Sequence, residues 1–361
     1  MAKIIVFPFS LLFAFLSIFG IYLPKPEADI NKEEWKTNYS YVFVHGLMGW
    51  GEYDAQYKLM PYWGMFGGEL LGKLEKEGYN CYAASVAGTA SAWDRACELY
   101  AQLTGTVVDY GKAHSEEHSH ERFGEDFTGR ALIPAFDSEN KINLLGHSFG
   151  GATMRLFASL MAVGSEEERA VTPENEISPF FTGGKADYIY SLTALSAPHN
   201  GTTAYSAPAE DKDTAAYDMY IDNAMKLNES IVTDENTYYF SIACSATTKQ
   251  EDGTYKADKK IMEGMFQSSA DEMGAYTGVT VGGYEFGEEW LENDGLVNTF
   301  SAKAPTSAPS KDYEEGNVTA GIWNIMPVYR GDHMSLQGGM MKANLQVYEL
   351  YLNHFDMINS L

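Results

Sequence analysis

Two spacings of apolar residues alternate along this chain. Continuous apolar runs at 40–44, 79–86, 142–145, 188–195 and 237–243 carry aromatic and β-branched residues, the pattern of strands covered on both faces rather than strands with one wet side. Segments of helical spacing lie among them: 67–77, 93–103, a stretch that carries Met154, Leu156, Leu160 and Met161, and 345–355 near the end. Strands alternating with helices predict an α/β fold, a mostly parallel central sheet flanked by helices. The polar runs around Ser165-Glu-Glu-Glu-Arg169 and Glu174-Asn-Glu176 read as solvated faces, and a region rich in Gly, Ser and Met after residue 243 carries no clear pattern.

One junction between these elements is unusual. The run 142–145 stops at Gly146-His147-Ser148-Phe149-Gly150, and helical spacing begins at once. A strand, a sharp turn and a helix with Gly-x-Ser-x-Gly at the corner form the nucleophile elbow of the α/β-hydrolase fold. A side chain at either flanking glycine would collide with the neighbouring strand or helix, and Ser148 is expected to stand exposed at the carboxyl end of the sheet. An ordinary glycine-rich turn is the plain alternative, so the rest of the chain has to decide. The strand 40–44 runs into His45-Gly46-Leu47-Met48-Gly49, and in this fold a His-Gly turn after an early strand supplies the second oxyanion donor. The expected donors are therefore the backbone N–H groups of Leu47 and Phe149.

Farther along, Asp294 sits in Trp290-Leu-Glu-Asn-Asp-Gly-Leu-Val-Asn298, a turn in which Asp can hydrogen-bond its own backbone. His333 lies in a loop before the last helical segment. Serine, acid, histidine is the chain order of this fold, which gives Ser148, Asp294 and His333. Glu292 and Asp332 are the nearest competing acids; Glu292 is expected to point elsewhere in the turn, and Asp332 adjoins the histidine too closely to reach its Nδ1. His199 comes before any such acid and reads as a structural or rim residue. His354, on the final helix, reads as a surface or core residue.

Composition narrows the function. The chain has 361 residues, 45% of them hydrophobic, enough for one large domain, taken here as 39–361. A formal charge of −25 excludes nucleic acid as a partner, since a binder of polyanions needs clustered Lys and Arg. The three cysteines, Cys81, Cys97 and Cys244, have no metal-type spacing and read as buried thiols, with one disulfide at most. At the start, Lys3 precedes an uncharged, mainly apolar run over 4–23, which predicts a signal peptide or an N-terminal membrane anchor at 1–23 and a linker at 24–38. Either places the protein outside the cell, secreted or anchored facing outward. His114, His118 and His120 fall within seven residues, with Asp94 upstream on an amphipathic helix. They read either as a solvated loop or as part of a ligand set that needs one more donor from elsewhere.

Several segments carry a closer likeness. Val-His-Gly-Leu-Met-Gly-Trp-Gly (44–51), Trp-Asp-Arg-Ala-Cys-Glu-Leu-Tyr-Ala-Gln-Leu (93–103), Val-Asp-Tyr-Gly-Lys-Ala-His (108–114), Pro-His-Asn-Gly-Thr-Thr (198–203), Lys-Leu-Asn (226–228), Asn-Thr-Tyr-Tyr (236–239), the segment 290–298 and Asp-His (332–333) run in order across the chain. Together they resemble the thermoalkalophilic bacterial lipases of the Bacillus, Geobacillus and Staphylococcus group, secreted triacylglycerol lipases of the α/β-hydrolase fold. The resemblance implies Ser148 as nucleophile, Asp294 as acid, His333 as base, and Leu47 and Phe149 at the oxyanion positions. It also implies a structural zinc site held by Asp94, His114, His120 and Asp213, which tethers an excursion at about 88–125; His118 is unmatched. Four protein ligands would make a closed site.

Three departures from the family matter. The elbow has Gly146 where the family usually has Ala, and Phe149 where it has Gln. Only 204–212 lies between Thr203 and Asp213, where the family carries a long helical lid, so an open acyl groove and weak interfacial activation are expected. Met334-Ser-Leu-Gln-Gly-Gly339 offers no acid of the kind that holds the family's calcium, and no calcium is expected. The function implied is a serine ester hydrolase, a lipase or carboxylesterase on fatty-acid esters. The alternatives are a hydrolase of polyesters or cell-envelope acyl esters on the same scaffold, a non-catalytic surface binding protein, and a zinc hydrolase, which a closed metal site disfavours.

Overall fold

The computed structural model describes residues 35–361 except 38, 134, 342, 343 and 345. The expected leader or anchor at 1–23 and nearly all of the linker at 24–38 lie outside the described residues. The apolar runs become strands β1 (Ser40–Val44), β2 (Cys81–Ala84), β3 (Ile142–His147), β4 (Ile189–Leu195) and β5 (Tyr238–Ile242), and two short strands join them, β6 (Ser310–Asp312) and β7 (Trp323–Ile325). They make one seven-stranded sheet in the order β6-β7-β5-β4-β3-β1-β2, and every neighbouring pair is parallel. The strand pattern fits that topology, because a parallel sheet is covered on both faces and has no side that needs polar residues.

Alternate residues feed two cores. Val42, Val44 and Leu144 join one cluster, while Tyr41, Phe43 and Leu145 join the other, and all six are fully buried. The helices that matter for the site are α1 (Leu70–Lys76), α2 (Ala92–Thr104), α3 (Lys112–His118), α4 (Phe149–Val163), α5 (Glu166–Val171), α6 (Gly264–Met273) and α7 (Gln346–Asn359). Helices α2 and α4 bury their apolar residues in the first cluster, and α1 and α7 bury theirs in the second. The Tyr41 ring stacks on Phe355 of α7 with centroids 3.7 Å apart.

Two stretches differ from the pattern reading. Helix α6 stands in the region without a clear pattern; its buried residues Phe266, Ser269, Ala270 and Met273 keep helical spacing, but Gly264 and the serines dilute the apolar signal. Helix α5 is not simply a solvated face. Glu168 is buried, and its carboxylate accepts the N–H groups of Ala113 and His114 at 3.0 and 2.9 Å. An acidic group at a helix start answers the open N–H groups and the positive end of the helix dipole, here on α3, the helix that carries His114.

Candidate active site

The elbow is strained where the motif requires it. Ser148 holds φ +56° and ψ −129° between β3 and α4, a left-handed-side conformation that costs a non-glycine residue of order 1–3 kcal/mol. The flanking glycines make the turn possible. A Cβ on Gly150 would lie 2.2 Å from the Val44 carbonyl oxygen, and one on Gly146 would lie 2.5 Å from the Gly150 carbonyl oxygen. The serine N–H is tied to the Leu195 carbonyl at 2.9 Å, so the elbow is pinned to the neighbouring strand β4. Behind it, α4 presents its N-terminus, where Phe149 is the first helical residue and its N–H has no intrahelical partner.

The acid and the histidine stand together. His333 Nδ1 is 2.9 Å from Asp294 Oδ2, and the two side chains keep only 4% and 1% of their surface. Asp294 is held from the other side as well: Oδ1 accepts the N–H groups of Leu296 and Val297 at 3.0 and 2.7 Å. The His333 N–H bonds the Asp294 carbonyl at 2.9 Å, which fixes the two loops to one another. Both competing acids are engaged elsewhere, Glu292 with Ser245 Oγ and Asp332 with the Glu263 N–H and Ser335 Oγ.

A second tie to this loop was not legible in the motif. His147, immediately before the serine, approaches the His333 carbonyl with Nε2 at 2.8 Å and the Tyr62 hydroxyl with Nδ1 at 2.6 Å, and that hydroxyl accepts the Gly46 N–H at 3.2 Å. Burial, aided by the nearby His333, pulls His147 down to about 3. It is therefore neutral at working pH. In the tautomer that satisfies all three groups, Nε2–H donates to the carbonyl and Nδ1 accepts from Tyr62.

The turn after β1 faces the elbow. A Cβ on Gly46 would lie 2.7 Å from Ser148 Cβ, so only glycine allows this approach. Met48 N–H bonds the Gly88 carbonyl and Gly49 N–H bonds the Gly46 carbonyl, whereas Leu47 N–H makes no hydrogen bond among the described residues. Two backbone donors without partners, Leu47 and Phe149, thus flank the serine. Ser148 itself keeps 7% of its surface and His333 3%. The expectation of a serine standing exposed is therefore not met at the residue itself, although the short segment 204–212 is mostly exposed.

A second constellation lies on the excursion. One ligand atom from each of Asp94, His114, His120 and Asp213 falls within 4.8 Å of the others. His114 Nε2 lies 3.0 Å from Asp94 Oδ1 and 3.4 Å from Asp213 Oδ1; His120 Nε2 lies 3.9 and 3.4 Å from oxygens of the same two residues. Donors at about 2.0 Å from a tetrahedral ion sit roughly 3.3 Å apart, so the set fits a small cation. His120 Nε2 and Asp213 Oδ1 are buried without a hydrogen-bond partner, and His120 Nδ1 bonds the Glu121 carbonyl at 2.9 Å, which leaves Nε2 as the free lone pair. Although burial opposes it, the Asp213 and Asp94 carboxylates push His114 up to about 9. The group calls for positive charge, a proton or a metal ion. His118 packs its ring 4.5 Å from His114 but is outside the set.

The remaining histidines, His45, His199 and His354, and the cysteines are buried. His199 is buried against Trp323, ring centroids 4.7 Å apart, and His354 Nε2 is 2.8 Å from Thr193 Oγ1 in the core. The three cysteines are free and buried. Among the described residues no helix is long and apolar enough to cross a membrane.

Known proteins share this architecture. The family model for the lipase-like C-terminal domain matches residues 37–209 and 205–358. Lipase 2 of Staphylococcus aureus is 31% identical over a 360-residue alignment that covers 84% of this chain and 50% of the relative; the chain spans about half the length of the curated relatives it matches. The crystal structure of Staphylococcus hyicus lipase superposes with a TM-score of 0.82 at 27% identity over 92% of this chain and 99% of that one. EstA from Clostridium botulinum superposes with a TM-score of 0.83 at 29% identity over 99% of both. On the family model and the staphylococcal identity, the chain belongs to the lipase-like family that includes these staphylococcal lipases.

Proposed function

We propose that this chain is an extracellular serine ester hydrolase, a lipase or carboxylesterase that cleaves fatty-acid esters through an acyl-enzyme on Ser148. The observation that supports the reading is the buried His333–Asp294 pair, whose loop is tied to His147, the residue before a strained serine, together with two N–H donors without partners at Leu47 and Phe149. In the proposed cycle His333 removes the Ser148 hydroxyl proton as Oγ attacks the ester carbonyl, and the N–H groups of Leu47 and Phe149 receive the oxyanion. The proton passes to the departing alcohol as the acyl-enzyme forms. Water, deprotonated by the same histidine, then releases the acid. Asp294 holds the His333 ring with Nδ1–H inward and Nε2 free to take the proton.

Substrate size is the open choice within this reading, and p-nitrophenyl esters from acetyl to palmitoyl, with emulsified triolein, decide it. With 204–212 too short for the family's lid, hydrolysis should extend to long chains and triolein without a jump in rate at the micellar threshold. Activity confined to short soluble esters would sink the lipase reading and leave a carboxylesterase. A sharp rise at the threshold would contradict a lidless site.

The metal we propose for Asp94, His114, His120 and Asp213 is Zn²⁺, because two imidazoles and two carboxylates in a closed set suit it. Its contribution would be to tie α2, the excursion and the loop at Asp213 together. Stripping it with a chelator should lower the melting temperature by roughly 5–10 °C when the metal was about 1,000-fold above its Kd, and the loss should reverse on adding Zn²⁺. An unchanged melting curve with the metal verifiably removed would refute the tether.

A further inference from the structure

The turn that carries Leu47 is held from behind by a buried cation. Arg95, on α2, is fully enclosed and has no carboxylate within ion-pair distance among the described residues. Its donors go to neutral oxygens. One terminal nitrogen bonds the His45 carbonyl, and the other reaches the Gly46 carbonyl at 3.4 Å and the Ala87 carbonyl at 3.1 Å. Nε bonds Thr153 Oγ1 at 2.9 Å, and that hydroxyl bonds the Phe149 carbonyl at 3.2 Å. The guanidinium carbon also lies 5.2 Å from the centre of the Phe149 ring.

These contacts converge on the residues of both oxyanion donors. Burying a cation is expensive; the nearby Glu98 carboxylate offsets part of that cost without an ion-pair contact, and the guanidinium's hydrogen bonds go to the peptides behind the reacting centre. We propose that Arg95 is a positioning residue of the oxyanion site, setting the plane of the Gly46–Leu47 peptide so that the Leu47 N–H faces the reacting carbonyl. In a trans peptide the C=O and N–H point in opposite directions, and the described residues contain no cis bond. The Gly46 oxygen is held by His45 Nδ1 at 2.8 Å and the Gly49 N–H at 3.1 Å, with Arg95 behind it at 3.4 Å and on the preceding His45 carbonyl, and the Leu47 N–H turns away from that oxygen. The charge also polarises that peptide, which makes its N–H a stronger donor in a chain of hydrogen bonds. The arm through Thr153 steadies the first turn of α4, where the second donor sits.

The proposal rests on Ser148 acting as the nucleophile, so the test includes Ser148→Ala. Arg95→Met and Arg95→Lys are compared with the wild type on p-nitrophenyl butyrate. Binding of an alkyl trifluoromethyl ketone is measured alongside, since its serine adduct carries the same oxyanion. Removing a direct donor costs about 10²–10³-fold, so Arg95→Met should lose on the order of 10²-fold in kcat with KM within about threefold. Ketone affinity should fall in parallel, and Arg95→Lys should lie between. A purely structural arginine would lower the folded fraction and leave kcat and ketone affinity per folded molecule unchanged, which overturns the proposal. Should Arg95→Met not fold, Arg95→Lys decides by the same split: the cation remains, but the fork that reaches three carbonyls is gone. A wild-type rate equal to that of Ser148→Ala would instead bring down the underlying hydrolase reading, and the role of Arg95 with it.

Discussion

Ser148→Ala is expected to lower kcat for any ester the protein hydrolyses by on the order of 10⁴-fold or more, with the fold intact. The substitution removes one oxygen, adds no atom, and leaves the strained turn pinned by the Leu195 carbonyl and the glycines on either side. Stability should therefore move by no more than about 1 kcal/mol, because Ser148 is the N-cap residue of α4 but its side chain makes no cap hydrogen bond. What disappears is the covalent route, while the N–H groups of Leu47 and Phe149 remain to bind a carbonyl. Residual hydrolysis well above background would come from that site alone. Steady-state rates together with a thermal melt of the variant separate loss of chemistry from loss of fold.

The second large effect is expected for Asp294→Asn. The carboxylate bridges the loop N–H groups of Leu296 and Val297 and the ring nitrogen of His333. An amide in its place can keep Oδ1 on the two N–H groups, but it then points an NH₂ group at His333. To accept from that group the imidazole must place its proton on Nε2, the nitrogen that has to take the serine proton in the proposed cycle, where it can no longer act as a base. A wrong tautomer of this kind costs about 10⁴-fold in turnover in serine hydrolases. A loss of that order in kcat is expected with little change in KM, because Asp294 is fully buried beneath His333. A variant with near-normal kcat would show that another group orients the histidine. Glu292 and Asp332 are poor substitutes, since both are already bonded to other partners.

The fold was legible because apolar runs with no wet positions have few places to go other than a doubly covered parallel sheet. Strand β1 falls on the residues its pattern marks, and β4 and β5 differ from theirs by a single residue at one or both ends. The elbow was legible because its chemistry is local: glycine, serine and glycine within five residues on a strand-to-helix corner. Asp294 and His333 came from chain order plus a turn that suits an aspartate. The short strands β6 and β7, three residues each at one end of the sheet, carry too little pattern to be seen.

The supporting contacts were not legible, for a physical reason. Tyr62 meets His147 across 85 positions of chain, and Arg95 meets His45 across 50. Neither residue belongs to a motif whose spacing encodes that contact. An arginine on an amphipathic helix reads as a solvated face, and only the fold shows it buried under a turn of carbonyls. Glu168 misleads in the same way: a run of three glutamates looks wholly exposed, yet one of them turns inward because the start of α3 offers it two N–H groups. In such places tertiary structure sets the role of a polar residue, and composition points the other way.

Reaction with an alkyl p-nitrophenyl phosphonate, followed by peptide mass spectrometry, asks whether Ser148 is the nucleophile. One phosphonyl group per protein is expected, on Ser148, with release of one equivalent of p-nitrophenolate and loss of ester hydrolysis in step with labelling. Continued hydrolysis by protein labelled at Ser148, or inactivation with the label on a different residue, would contradict it.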